Sequence, residues 1–125
     1  MSLPIAVNII DGTITWPTSS PTVLTSAVCV ELGGKDVDAL VIATLGTGTV
    51  HLAVWLPTSS STGYWSTLTS GGISVDVAVT GGVIPLERRV PGIGWATHAA
   101  IVRTSGTPTF IPAGKGYICV GVRRS

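Results

Sequence analysis

Formal charge is what this sequence has least of. Lys, Arg, Asp and Glu make up 10% of its 125 residues, against about 25% in an average soluble domain. Seven basic and six acidic side chains leave a net charge of +1, which offers no long-range field to draw nucleic acid or an anionic membrane surface. Between Ala39 and Val75 there is no Asp, Glu, Lys or Arg at all. Cysteine is nearly absent too. Cys29 and Cys119 are too few for a disulfide scaffold, and each lies in an apolar stretch (AVCVEL and YICVGV), so two buried free thiols are expected. No stretch keeps a helical period, and no internal repeat recurs. The N-terminal MSLPIAVNIIDG lacks the basic region, long apolar core and cleavage site of a secretory signal. The expected place of synthesis is therefore the cytoplasm.

What remains is rich in Val, Ile, Thr, Ser and Gly. With 45% hydrophobic residues, disorder is excluded on composition. The stretch ALVIATLGTGTVHLAVWL, residues 39–56, is long enough to span a bilayer, but Gly46-Thr47-Gly48-Thr49 break it and β-branched residues dominate both halves. It is expected to be a β-hairpin with a Gly/Thr turn. Val50, Leu52, Val54 and Leu56 then share one face, and Thr49, His51, Ala53 and Trp55 the other. Further strands are expected over 5–10, 23–32, 64–69, 73–80, 94–104 and 116–123, with Ile73, Val75, Val77 and Val79 turned inward. Turn signals at this spacing predict an all-β chain, an antiparallel β-sandwich of about eight strands, jelly-roll or Ig-like, with a barrel as a variant. The chain is one domain over residues 1–125, or one domain with an N-terminal arm over 1–20.

A half-solvated strand has one polar face, whereas residues 39–45 are apolar on both. Either such strands lie inside a thick core or other subunits cover their outer faces. Cover by neighbours is the favoured expectation, with Ala53 and Trp55 as the candidate seam of a closed homo-oligomer. The only charge cluster, Glu87-Arg88-Arg89, sits between two prolines. Its extended, fork-shaped donors make Arg88 and Arg89 the candidate dock onto a different, acidic protein surface, or serve solubility alone.

Candidate chemistry is sparse. His51 and His98 stand among many Ser and Thr, with no spacing that builds a nucleophile and its base, so each is expected to be a strand residue on a sheet face or at an interface. No CxxC, HxH or HExxH spacing holds a metal. Asp36 and Asp38, in GGKDVDAL, read as a solvated strand entry rather than a cation loop. No catalytic residue, cofactor or metal is expected. Of the four tryptophans, Trp16, Trp55, Trp65 and Trp95, Trp65 beside Tyr64 makes the best candidate for stacking on a sugar, after the polar PTSSSTG loop. The favoured expectation for these rings is that they plug a core or a subunit seam.

The C-terminal third, ATHAAIVRTSGTPTFIPAGKGYICVGV, resembles small β-sandwich virion proteins of tailed bacteriophages, in particular capsid decoration (cement) proteins. The likeness lies in a strand ending in Arg and Gly, a Thr/Pro crossover, a Pro-Gly corner and a last apolar strand. The resemblance implies a non-enzymatic structural protein on the capsid surface of a virion. It would act in many copies, as a homo-oligomer with a trimer the first choice, and its partner would be the major capsid protein or another virion protein. The family has no shared binding motif, so no site residue carries over. A tail or fibre-base subunit, a carbohydrate-binding module using Tyr64 and Trp65, and last a small hydrolase are the alternatives.

Overall fold

The computed structural model describes residues 3–11, 22–45, 48–67, 69–70, 73–74, 76–79, 86–88 and 95–121. Every regular element among them is a strand: β1 (Leu3–Asn8), β2 (Ile10–Asp11), β3 (Thr22–Val23), β4 (Cys29–Glu31), β5 (Val37–Ile42), β6 (Thr44–Leu45), β7 (Gly48–Pro57), β8 (Thr62–Thr67), β9 (Thr69–Ser70), β10 (Ile73–Ser74), β11 (Asp76–Val79), β12 (Leu86–Arg88), β13 (His98–Gly106), β14 (Thr109–Phe110) and β15 (Lys115–Val120). The expected all-β sandwich is the observed architecture. Its strands are more numerous and shorter than the sequence pattern suggests.

One sheet has the order β1-β15-β5-β12, antiparallel throughout. The larger sheet is built on the long pair β7 and β13, which run antiparallel. Each flank of this pair is shared end to end by two short strands. β8 and β11 line the free side of β7. β4 and β2 line the free side of β13, β4 antiparallel and β2 parallel. β3 continues outward from β8, and the small pairs β9/β10 and β6/β14 stand apart. Residues 3–8 and 10–11 are thus woven into the two sheets, and residues 1–2 and 12–20 of the possible arm over 1–20 lie outside the described residues.

Alternation along β7 feeds two apolar layers. Val50, Leu52 and Val54 join Val7, Leu40, Ile42, Ile101 and Ile118 in the main core between the sheets. Ala53 and Trp55, facing the opposite way, join Trp65, Ala100, Val102 and Cys29 in a second cluster on the other side of the larger sheet. β3 and β4 lie on opposite flanks of the β8–β7–β13 trio, so residues 24–28 span the width of the sheet, and Leu24 packs against the second cluster. That crossing explains why the expected single strand over 23–32 is two short ones.

The expected 39–56 hairpin does not form. β5 belongs to the smaller sheet and β7 to the larger, so the chain passes from layer to layer between them. Both strands are internal, which is why each is apolar on two sides. β5 also carries a bulge. Cys119 faces Ala39 while Val120 faces Val37, leaving Asp38 as the extra residue. The extra residue shifts the phase, so that Val37, Leu40 and Ile42 all turn into the core. Val75 lies outside the described residues, and Val77 is placed by its backbone opposite Val50.

At the outer edge of the smaller sheet, β1 shows how a strand edge is closed. The Asn8 N–H points away from β15 and donates to Ala27 O at 2.9 Å. By alternation, the backbone groups of Ala6 and Pro4 point the same way, and proline has no N–H to present there.

Two substitutions test these assignments. Val37, placed inward by the bulge, is 1% exposed, so Val37→Asp should bury an unpaired charge. The expected result is loss of soluble folded protein, checked by expression yield and far-ultraviolet circular dichroism, whereas an unbulged strand would turn residue 37 outward and tolerate the change. Gly63 sits under the β7–β8 hairpin, where an added Cβ would come within 2.4 Å of Leu56 O and 2.8 Å of Pro57 Cα. Because backbone cannot swing aside, Gly63→Ala should cost about 2–4 kcal/mol, read from urea denaturation.

Candidate functional site

The residues singled out from sequence fall on the second cluster. Trp55 and Trp65 face each other across β7 and β8. Their rings meet edge to face at 5.0 Å and 61°, an arrangement that adds about 0.5–1.5 kcal/mol beyond the area buried. Trp55 is 4% exposed, Trp65 5% and Ala53 0%. The chain itself covers this face, so Ala53 and Trp55 do not form the expected seam, and Trp65 presents no ring to a sugar. The physical reason is that the connections of a small sandwich wrap over its larger sheet. Periodicity records that a face is covered, and is silent about what covers it. Only Tyr64 of that group is half-exposed.

The PTSSSTG loop beside it is a closed turn. The N–H groups of Thr58 and Ser59 both donate to Thr62 O, at 2.9 and 3.1 Å. Ser59 Oγ and Thr62 Oγ1 lie 2.6 Å apart, and Ser59 Oγ accepts from Thr62 N–H at 3.1 Å. The hydroxyls of Thr58, Ser59 and Thr62 are therefore committed to the turn, which fixes the β7–β8 register.

The other candidates are dispersed. Arg88 ends β12, at the outer edge of the smaller sheet opposite Leu40, and Arg89 lies outside the described residues, as does Trp16. His51 is half-buried in β7, its backbone between Val102 and Asp76. His98 opens β13, with Nδ1 3.1 Å from Thr97 Oγ1. Asp36 is buried and Asp38 half-buried in the bulge, which corrects the solvated strand entry expected for them. Among the described residues no group of three His, Cys, Asp or Glu could hold a metal ion, and no helix is long and apolar enough to cross a membrane.

The structure instead opens a cleft where sequence showed only turns. It lies at the end of the sandwich where β13 crosses through β14 to β15, has a volume of about 390 Å³, and is lined by Ile9, Asp11, Arg103, Pro108, Phe110 and Ala113 among others. Arg103 pairs with Val50, so it is on the core side of β13, and its guanidinium emerges at the mouth between the sheets. Its Nε donates to Asp11 Oδ1 at 2.9 Å and its Nη1 donates to Gly106 O. The parallel β2–β13 pairing sets Asp11 beside Arg103. Behind them, Ile9 N–H donates to Gly114 O at 2.8 Å, tying the Pro-Gly corner to the N-terminal strands. Asp11 is 75% exposed and Arg103 25%. Asp11 reads in sequence as half of an Asp-Gly turn. A lone Arg inside the apolar AAIVRTSG strand was the one available sign of the site.

In comparisons with known proteins, no family model, curated sequence or solved structure matched the chain.

Three outcomes follow from this geometry. Trp65→Ala should destabilise by about 3–5 kcal/mol, as a buried aromatic does, where a surface ring would cost little; denaturant midpoints decide. Asp11→Asn should change stability by under about 1 kcal/mol, because an exposed ion pair contributes that little. Cys29 is buried with its Sγ donating to Thr25 O at 3.3 Å, and desolvation raises its pKa above the ordinary thiol value of 9.0. The native thiol should therefore resist alkylation at pH 8 and react on unfolding. Its protonated form favours the fold, so this contribution is complete below pH 9.0 and is lost as pH rises through the elevated folded value.

Proposed function

We propose that this protein is a non-enzymatic structural subunit that works in many copies on a larger particle, in the manner of a capsid decoration protein of tailed bacteriophages. The observation that carries the reading is what the fold leaves outside. With apolar layers on both faces of the larger sheet, Trp95 and Val23 are still 63% exposed. Val23 pairs with Thr62 beside the β7–β8 turn, and Trp95 leads into β13, whose Ala99 faces Val54 near the same end of β7. A large ring and a β-branched side chain thus stand at one end of a sandwich whose chain has few charges to keep copies apart. Exposed aromatics of this kind are common anchors at protein interfaces.

The C-terminal segment supports the reading in a second way. Its Arg-Gly strand end, Thr/Pro crossover, Pro-Gly corner and last strand correspond to β13, β14 and β15, which supply a central strand to each sheet. The proposed seam is accordingly the Trp95 and Val23 end, with closed symmetry because an open contact would run on into filaments. Arg88, at a sheet edge, remains the proposed dock onto an acidic partner.

Sedimentation velocity at micromolar concentration should show a closed oligomer, a trimer first, that Trp95→Ala shifts toward monomer with little salt dependence. Arg88→Ala should weaken binding to purified particles more at low salt than at high, since exposed charge pairs are screened. A monomer with no affinity for any particle would overturn this function.

A further inference from the structure

The cleft at the opposite end sets a carboxylate and a guanidinium side by side, and neither is required to hold the fold together. Arg103 is held from two directions, by Asp11 Oδ1 and Gly106 O. Among the described residues its Nη2 makes no hydrogen bond, and neither does Asp11 Oδ2. An arginine fixed in this way loses little rotamer freedom when a ligand arrives. The volume of about 390 Å³ falls within the range of small-ligand pockets, roughly 300–1,000 Å³.

We propose that this cleft binds a neutral, hydroxyl-rich ligand: a single sugar ring of a glycan, with Asp11 accepting from one hydroxyl and Arg103 donating to its neighbour. The charge balance selects this class. An anion would meet Arg103 only with the Asp11 carboxylate beside it, and a cation would meet the reverse. Adjacent hydroxyls are donors and acceptors at once, so a diol satisfies both groups and leaves the ion pair in place. Ile9 and Pro108, both half-buried in the lining, offer an apolar wall to the C–H face of the ring. Phe110 is 6% exposed, so a nucleobase finds no stacking surface. This inference does not depend on the assembly proposed above, since the two sites lie at opposite ends of the sandwich.

Saturation-transfer difference NMR on the full chain tests it, with glucose, galactose, mannose and N-acetylglucosamine as probes. Inorganic phosphate, followed by phosphorus line broadening, is the charged comparison. At least one sugar should bind, with a roughly millimolar Kd, as a one-ring ligand with two polar anchors allows. Asp11→Asn and Arg103→Lys should each weaken it about tenfold or more. Ala113→Trp fills the cleft without touching the ion pair and should abolish binding, while Thr58→Ala at the far end should leave it unchanged. If Asp11→Asn fails to fold, Ala113→Trp alone decides. Saturation of none of the four sugars, binding that survives in folded Ala113→Trp, or preference for phosphate would each overturn the proposal.

Discussion

The fold depends on keeping water from both faces of one pair of strands. β7 and β13 run side by side through the middle of the larger sheet, and their alternating side chains are apolar in both directions. A pair like this cannot sit at a surface, so each face needs its own cover. The smaller sheet supplies one cover, and the crossing chain that carries Leu24 contributes to the other. Dividing each flank between two short strands follows from the same demand. The long central strands present more edge than any one connection-bound neighbour can match, and four short pieces share the pairing.

This constraint separates what could be read in the sequence from what could not. The β class is local: β-branched residues alternating between glycine and proline signals specify extended chain wherever they occur. Layer membership is not local. The run from Ala39 to Leu56 reads equally well as a hairpin or as two strands facing each other across a core, since both bury the same side chains. Bulges are equally hidden. Asp38 alters the phase of β5 by one residue, and a similar shift between Arg103 and Ser105 alters β13, yet no turn or glycine signal marks either position as a bulge. Burial of Trp55 and Trp65 was legible, but the agent of burial was not, because the connection over 24–28 owes its path to strand order.

The cleft was the least legible part, for a topological reason. Asp11 and Arg103 stand 92 residues apart and meet only because a two-residue strand pairs in parallel with β13. No spacing rule reaches that far. The outcome is a molecule polarised along its strands. Trp95 and Val23, each 63% exposed, stand at one end, and the paired charges, with a connection rich in Thr and Pro, stand at the other. Between the ends, both faces of the larger sheet are committed to the fold.

Pro4 has a consequence of its own for such a chain. Strand-rich, nearly uncharged sequences are prone to adding chains edge to edge, because an open edge is a template and little repulsion opposes the next copy. On the outer rim of β1, Asn8 is already engaged by Ala27 and Pro4 has no hydrogen to give. Between them only Ala6 retains a donor, and one donor cannot seed a ladder. A single imino acid thus guards against fibril growth at this edge, the protection that charge supplies in most soluble proteins. The β1 edge is therefore a poor template for sheet extension, even where copies of this chain are crowded together.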